Sequence, residues 1–183
     1  MSLHPDLAKA IPQAGLVLVA GGIRTGKSCL AYGILEHLHQ AEPGRPCYAF
    51  NFPQEKHELL PEWIQAIASE DFPEGSVVLA DEAYLAFYAK DHQSEVNRYM
   101  DVFSGLAGQK DILILFVTQT TRKLSLAAVS GIQVMLLKRP DLMMVKLDRS
   151  ELRSILKQAL EAFRLLPPEA RQRAVYLVSL DYE

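Results

Sequence analysis

The stretch Leu16-Val17-Leu18-Val19-Ala20-Gly21-Gly22-Ile23-Arg24-Thr25-Gly26-Lys27-Ser28 decides the fold. Its first five residues are apolar, which predicts a strand buried on both faces, as in a parallel sheet. The strand runs straight into a glycine, four residues and then Gly26-Lys27-Ser28. From Lys27 to about Gln40, the apolar residues Leu30, Ala31, Ile34, Leu35 and Leu38 recur at helical spacing. Strand, glycine-rich turn and helix in that order make a phosphate-binding loop, and a chance glycine-rich turn would lack both flanks. Glycine permits positive φ and a close approach of backbone to phosphate. Successive N–H groups and the helix N-terminus then face the anion. Lys27 is expected to reach the β and γ oxygens, and the Ser28 hydroxyl to ligate Mg²⁺. The expected nucleotide contacts are Gly21, Gly22, Ile23, Arg24, Thr25, Gly26, Lys27, Ser28 and Cys29.

Further along, strands and helices alternate. After the break Glu42-Pro43-Gly44-Arg45-Pro46, Cys47–Phe50 reads as a second strand. Residues 51–74 hold three prolines, with a short helix expected near Trp63–Ile67. Val77-Val78-Leu79-Ala80 is a third strand ending in Asp81-Glu82. A helix from about Ser94 presents Val96, Tyr99, Met100, Phe103 and Ala107 on one face. Ile112–Val117 is a strand ending in Thr118-Gln119, and Val134–Leu137 another, before a turn at Pro140-Asp141. Asp148 and Glu151 have capping-box spacing ahead of the stripe Leu152, Ile155, Leu156, Ala159, Leu160 and Phe163. Pro167-Pro168 closes that helix, and Val175–Leu180 is a last edge strand. The pattern predicts an α/β fold with a mostly parallel central sheet covered by helices, a three-layer P-loop NTPase. One domain is expected over residues 1–183, with a core of about 14–140 and a C-terminal helix and strand packed on it.

Two polar strand ends extend the site. The acid that ends a strand of a P-loop NTPase holds Mg²⁺ through its water shell, which assigns Asp81 the metal role beside Ser28. The next residue, Glu82, is placed to polarise an attacking water as general base. Ligands of open α/β sheets sit outside the carboxyl ends of strands. If the Ile112–Val117 strand is inserted between the Gly21-loop strand and the Asp81 strand, Gln119 lies beside the γ-phosphate, where it can orient water. That order of strands is the additional-strand, catalytic-glutamate, RecA-like type.

Composition narrows the setting. The 183 residues are 49% hydrophobic and carry a formal charge of −3, so this is not a generally basic, polyanion-coating protein. Cys29 and Cys47 fit no metal spacing and read as reduced, core or near-core residues of a cytoplasmic protein. His4, His37, His39, His57 and His92 are scattered and read as solvated surface residues. No signal peptide and no apolar run of spanning length is visible.

The set of motifs resembles the FtsK–HerA superfamily of DNA-pumping ATPases, and most of all its viral and phage relatives that package genomes. The resemblance runs from about Leu16 to Lys138 and rests on Gly21–Ser28, Val77–Ala83 and Ile114–Gln119. Beyond these, Leu124–Ile132 stands where the family has a short helix, and Val134–Lys138 leads into Arg139-Pro140-Asp141. The resemblance implies ATP with Mg²⁺, a homo-oligomeric ring (hexamer or pentamer), double-stranded DNA in the pore and a capsid vertex protein as a docking partner. It also implies an arginine supplied by the neighbouring subunit. Where many members carry Gly-Arg-Lys, this chain has Gly108-Gln109-Lys110, so the arginine falls to Arg98 or Arg122, with Arg139 behind them. Pore cations are expected from Lys90, Lys110, Arg122 or Lys123.

Three other readings compete. Zonula-occludens-toxin-like phage assembly ATPases share the Asp-Glu and Thr-Gln elements but carry a transmembrane segment. A nucleoside or small-molecule kinase would need an acceptor site and an arginine-rich lid, and has no use for Asp81-Glu82 aimed at water. A nucleotide-dependent scaffold would bind ATP and turn it over slowly. The absence of an Asn-Lys-x-Asp motif favours ATP over GTP.

Overall fold

A computed structural model of the chain describes residues 3–81, 92–119, 121–124 and 129–179. Glu82, Ala83, Lys90, the middle of Leu124–Ile132 and Leu180 lie outside the described residues, as do the side chains of His92, Ser94, Val96 and Lys123.

The described strands are β1 (Gly15–Ala20), β2 (Cys47–Phe50), β3 (Ile64–Ile67), β4 (Val77–Asp81), β5 (Leu113–Thr118), β6 (Ile132–Leu137) and β7 (Tyr176–Ser179). The described helices are α1 (Pro5–Ala10), α2 (Lys27–Ala41), α3 (His92–Gln109), α4 (Leu142–Leu147), α5 (Ser150–Leu165) and α6 (Pro168–Arg171). The strands form one seven-stranded sheet in the order β3-β2-β4-β5-β1-β6-β7. Every pairing is parallel except the last, where β7 runs antiparallel along β6.

Period-two alternation sorts the buried strands between two cores. Leu16, Leu18 and Ala20 of β1 face one layer, built on Met100, Phe103 and Ala107 of α3 and Leu152, Leu156 and Ala159 of α5. Val17 and Val19 face the other, built on Leu30, Ala31, Ile34 and Leu35 of α2, with Leu7 of α1 packed against it. Because both faces are covered, the central strands are apolar along most of their length and turn polar only at their ends, the signal that predicted them. An aromatic knot of Phe50, Phe72, Tyr99 and Phe103 seats α3 on β2, with edge-on centroid separations of 5.2–5.7 Å around Phe50.

The structure corrects four expectations. Trp63–Ile67 holds no helix: Ile64–Ile67 is β3, an edge strand whose backbone pairs with β2 from Cys47↔Ile64 to Phe50↔Ile67. Four residues after Pro61 are too few for a helix to repay its nucleation, and the free edge of β2 offers partners at once. The Asp148–Glu151 capping box does not form, because Arg149 takes the N-cap position of α5 without a side-chain cap. Cys29 is exposed, since it lies on the open mouth of the loop rather than on the inner face of α2. His39 is not a solvated histidine: it stacks on Trp63 at 4.4 Å and 5°.

Candidate nucleotide site

The loop between β1 and α2 is held by its own backbone and by the chain that follows β6. Gly21 adopts φ 149°, and a Cβ there would stand 2.6 Å from the Lys138 carbonyl oxygen. Lys138 N donates to Ala20 O at 2.8 Å, and Gly22 N to Arg139 O at 3.1 Å. Gly26, at φ 88°, caps α2 without a side chain. The first N–H groups of the helix are therefore left facing the mouth of the loop. Arg24 also takes positive φ, 58°. Across the turn, Thr25 Oγ1 and Lys27 Nζ each donate to Gly22 O at 2.8 Å. The Lys27 ammonium is thus poised over the concavity.

Asp81 ends β4, two strands from β1. It is 6% exposed, and its Oδ2 accepts from Ser28 Oγ at 2.8 Å. These two residues are 53 apart in sequence. They meet because β5 lies between β1 and β4, with Ala20 opposite Thr118 and Val117 opposite Asp81. Gln119, directly after β5, is exposed at this same edge of the sheet. A hydroxyl paired with a buried carboxylate is the hard-oxygen donor set that Mg²⁺ takes, and it stands beside a backbone cradle that side chains at Gly21 or Gly22 would fill. The residues present therefore fit a magnesium nucleotide.

Two cavities flank the loop. One, of about 400 Å³, is lined by Gly22, Ile23, Thr25, Arg139 and Asp141 among others. The second, of about 790 Å³, opens from Gly26 and Cys29 and is walled by Leu7, Leu166, Val175 and Leu177. Lys138 lies on its wall, 3% exposed, and donates to the carbonyls of Gln172 at 2.5 Å and Ala174 at 2.9 Å. Burial holds its ammonium below the usual lysine range.

No protein-family model matches the chain, and no curated protein matches it. Solved structures do. The genome packaging NTPase B204 from Sulfolobus turreted icosahedral virus 2, in complex with AMPPCP, superposes with a TM-score of 0.61 at 15% identity, covering 93% of this chain and 94% of that one. B204 from Sulfolobus turreted icosahedral virus, a DNA-packaging ATPase, gives 0.54 at 12%, over 94% and 100%. The pCW3 conjugation coupling protein TcpA, with ATPγS, gives 0.52 at 15%, over 73% of this chain and 50% of TcpA. The chain therefore shares its mostly parallel α/β fold with these P-loop NTPases. The β5 insertion between the P-loop strand and the Asp81 strand agrees with the additional-strand type.

Within this P-loop fold the other expected residues are spread out. Arg98 of α3 pairs with Glu70 at 2.8 Å, and its guanidinium lies 4.4 Å from the centroid of the Tyr99 ring, at the β2–β3 end of the sheet. Arg122 is exposed in the turn after Gln119. Arg139 is exposed beside the P-loop, whose Gly22 it holds through its carbonyl. Lys110 is bonded to Asp71 and to Phe72 O, both at 3.1 Å. Sequence reasoning missed Lys138 as the anchor of the P-loop against the C-terminal segment. Its one signal was a lysine directly after an apolar strand, which is also the pattern of an ordinary strand end.

Proposed function

We propose that the chain hydrolyses ATP within a homo-oligomeric ring that translocates double-stranded DNA, as in packaging a viral genome into a capsid. The observation that carries the hydrolytic part is the Ser28–Asp81 contact at the carboxyl edge of the sheet, with Gln119 leaving the strand between them. Ser28 and Asp81 would hold Mg²⁺, which when bound neutralises charge on the β- and γ-phosphates. Lys27, whose ammonium is held on Gly22 O over the same concavity, would supply positive charge to the phosphates. The cavity opening from Cys29 suits a nucleoside, with aliphatic walls for a base. Gln119 is proposed to orient water and Glu82 to accept its proton. Arg98 and Arg122 remain the proposed trans-acting arginines, and Arg98 would have to leave Glu70 to act. The DNA, ring and packaging parts rest on the fold shared with B204 and TcpA and on the motif set.

The test is a native mass measurement combined with ATPase rates with and without duplex DNA. A ring whose hydrolysis rises with DNA and disappears in Lys27→Ala supports the proposal. A monomer with a DNA-independent rate at every salt concentration removes the motor part, and phosphate transfer to a small acceptor replaces it with a kinase.

A further inference from the structure

Asp148 sits where the sequence promises a helix cap, yet it serves another element. It is 3% exposed, and its Oδ2 accepts from the Thr121 hydroxyl, itself fully buried. Its Oδ1 accepts from the Arg149 backbone N–H at 2.9 Å, and its carbonyl accepts from Arg153 Nη2 at 2.8 Å. Arg149 extends the grip, because its Nη2 donates to the carbonyls of Arg122, at 3.1 Å, and Leu124. The 3₁₀ turn Thr121–Lys123 is therefore tied by a side chain and by two carbonyls to the junction between α4 and α5.

That turn is the far anchor of Gln119. On the near side Thr118 is buried in β5 opposite Ala20. On the far side Thr121 is buried on Asp148 and Leu124 is fully buried, with Leu124 N donating to Thr121 O at 3.1 Å. Gln119 is thus an exposed residue strung between two fixed points one and two positions away. The α4–α5 unit also begins on the P-loop: Arg139 holds Gly22, and Asp141, which lines the cavity beside the P-loop, caps α4 through Met144 N at 2.8 Å. The same unit therefore references the Gln119 segment to the P-loop. Burying a carboxylate and a hydroxyl is costly unless they are paired, a cost that an exposed cap would avoid.

We propose that Asp148, Thr121 and Arg149 are positioning residues for Gln119, setting its distance from the phosphates held by the P-loop. This rests on the hydrolytic reading of the site. Misplacing a catalytic group by about an ångström costs about a hundredfold in rate. Thr121→Val, Asp148→Asn and Arg149→Ala are therefore expected to lower kcat about ten- to a hundredfold, with KM and the Kd for a fluorescent ATP analogue within about twofold of wild type. Each should add little to the loss caused by Gln119→Ala, since residues acting through one group are not additive. Arg149→Ala removes only a partly exposed side chain, so it tests the idea even if the buried variants fold poorly. Hydrogen exchange of the full chain supplies a readout independent of turnover: peptides over 117–124 should exchange at least about tenfold faster in Arg149→Ala, with 16–30 unchanged. Wild-type kcat in Arg149→Ala, losses additive with Gln119→Ala, or unchanged exchange over 117–124 would each overturn the proposal. If wild-type protein hydrolyses no nucleotide, the functional reading fails instead, and the exchange result still decides whether Arg149 anchors the segment.

Discussion

Replacing Gly21 by alanine tests the geometry of the P-loop most directly. The added methyl would lie 2.6 Å from Lys138 O and 2.9 Å from Lys138 C, backbone atoms that cannot rotate away. The φ of 149° adds strain of about 1–3 kcal/mol for a non-glycine residue. To relieve the contact, the strand end at Lys138 must move off, which stretches the Lys138–Ala20 bond at 2.8 Å and the Gly22–Arg139 bond at 3.1 Å. Losing one buried backbone hydrogen bond costs about 1–3 kcal/mol. Together the change amounts to about 2–6 kcal/mol, a large share of the stability of a domain. At this chain length, where each kcal/mol moves Tm by about 2–4 °C, that lowers Tm by roughly 4–24 °C. A thermal melt followed by circular dichroism measures it, and binding of a fluorescent ATP analogue measures the loop. Gly105→Ala is the control: it lies in α3, at ordinary φ, with nothing within 4 Å of the new methyl. It should stabilise by about 0.5–1 kcal/mol through helix propensity alone. A Gly21→Ala protein that melts within a degree of wild type and binds nucleotide unchanged would refute the packing of the P-loop on Lys138.

Ser28→Ala removes the donor to Asp81 and one oxygen of the proposed metal site. Nucleotide affinity measured with Mg²⁺ should fall about ten- to a hundredfold, and affinity measured in EDTA should stay nearly constant. Cys29, exposed at the mouth of the larger cavity, should be alkylated by iodoacetamide near neutral pH and protected by added nucleotide. Cys47, whose thiol pKa burial raises, should label only after unfolding, with peptide mass mapping to locate the label. Phe103→Ala empties the centre of the aromatic knot and should cost about 3–5 kcal/mol in urea unfolding, with no direct loss from the P-loop.

Local chemistry makes much of this protein legible in its sequence. The apolar runs of β1, β4, β5 and β6 read as strands because helices cover both faces of the sheet, so burial leaves no polar alternation to blur them. The stripes of α2, α3 and α5 read as helices because each packs a single face. β3 is not legible in the sequence because an edge strand of four residues has no pattern of its own; its partner, β2, decides its state. The capping role of Asp148 escapes sequence for a related reason, since a carboxylate before a helix can serve the helix or a distant hydroxyl, and only packing chooses.

By itself, then, the sequence determined the pieces of the site: a glycine loop between strand and helix, an acid at one strand end, a glutamine at another. These are dictated within a few residues by backbone sterics and hydrophobic period. Their assembly was decided by the tertiary structure. Placing β5 between β1 and β4 set Ser28 on Asp81 across 53 residues and brought Gln119 out beside them. Folding the chain after β6 back over the P-loop buried Lys138 and closed Gly21 against it. Packing the α4–α5 junction under the turn after Gln119 turned Asp148 from a helix cap into an anchor. Each of these contacts joins segments far apart in the chain. Their energy depends on which strands pair and which faces meet, and a local pattern carries neither.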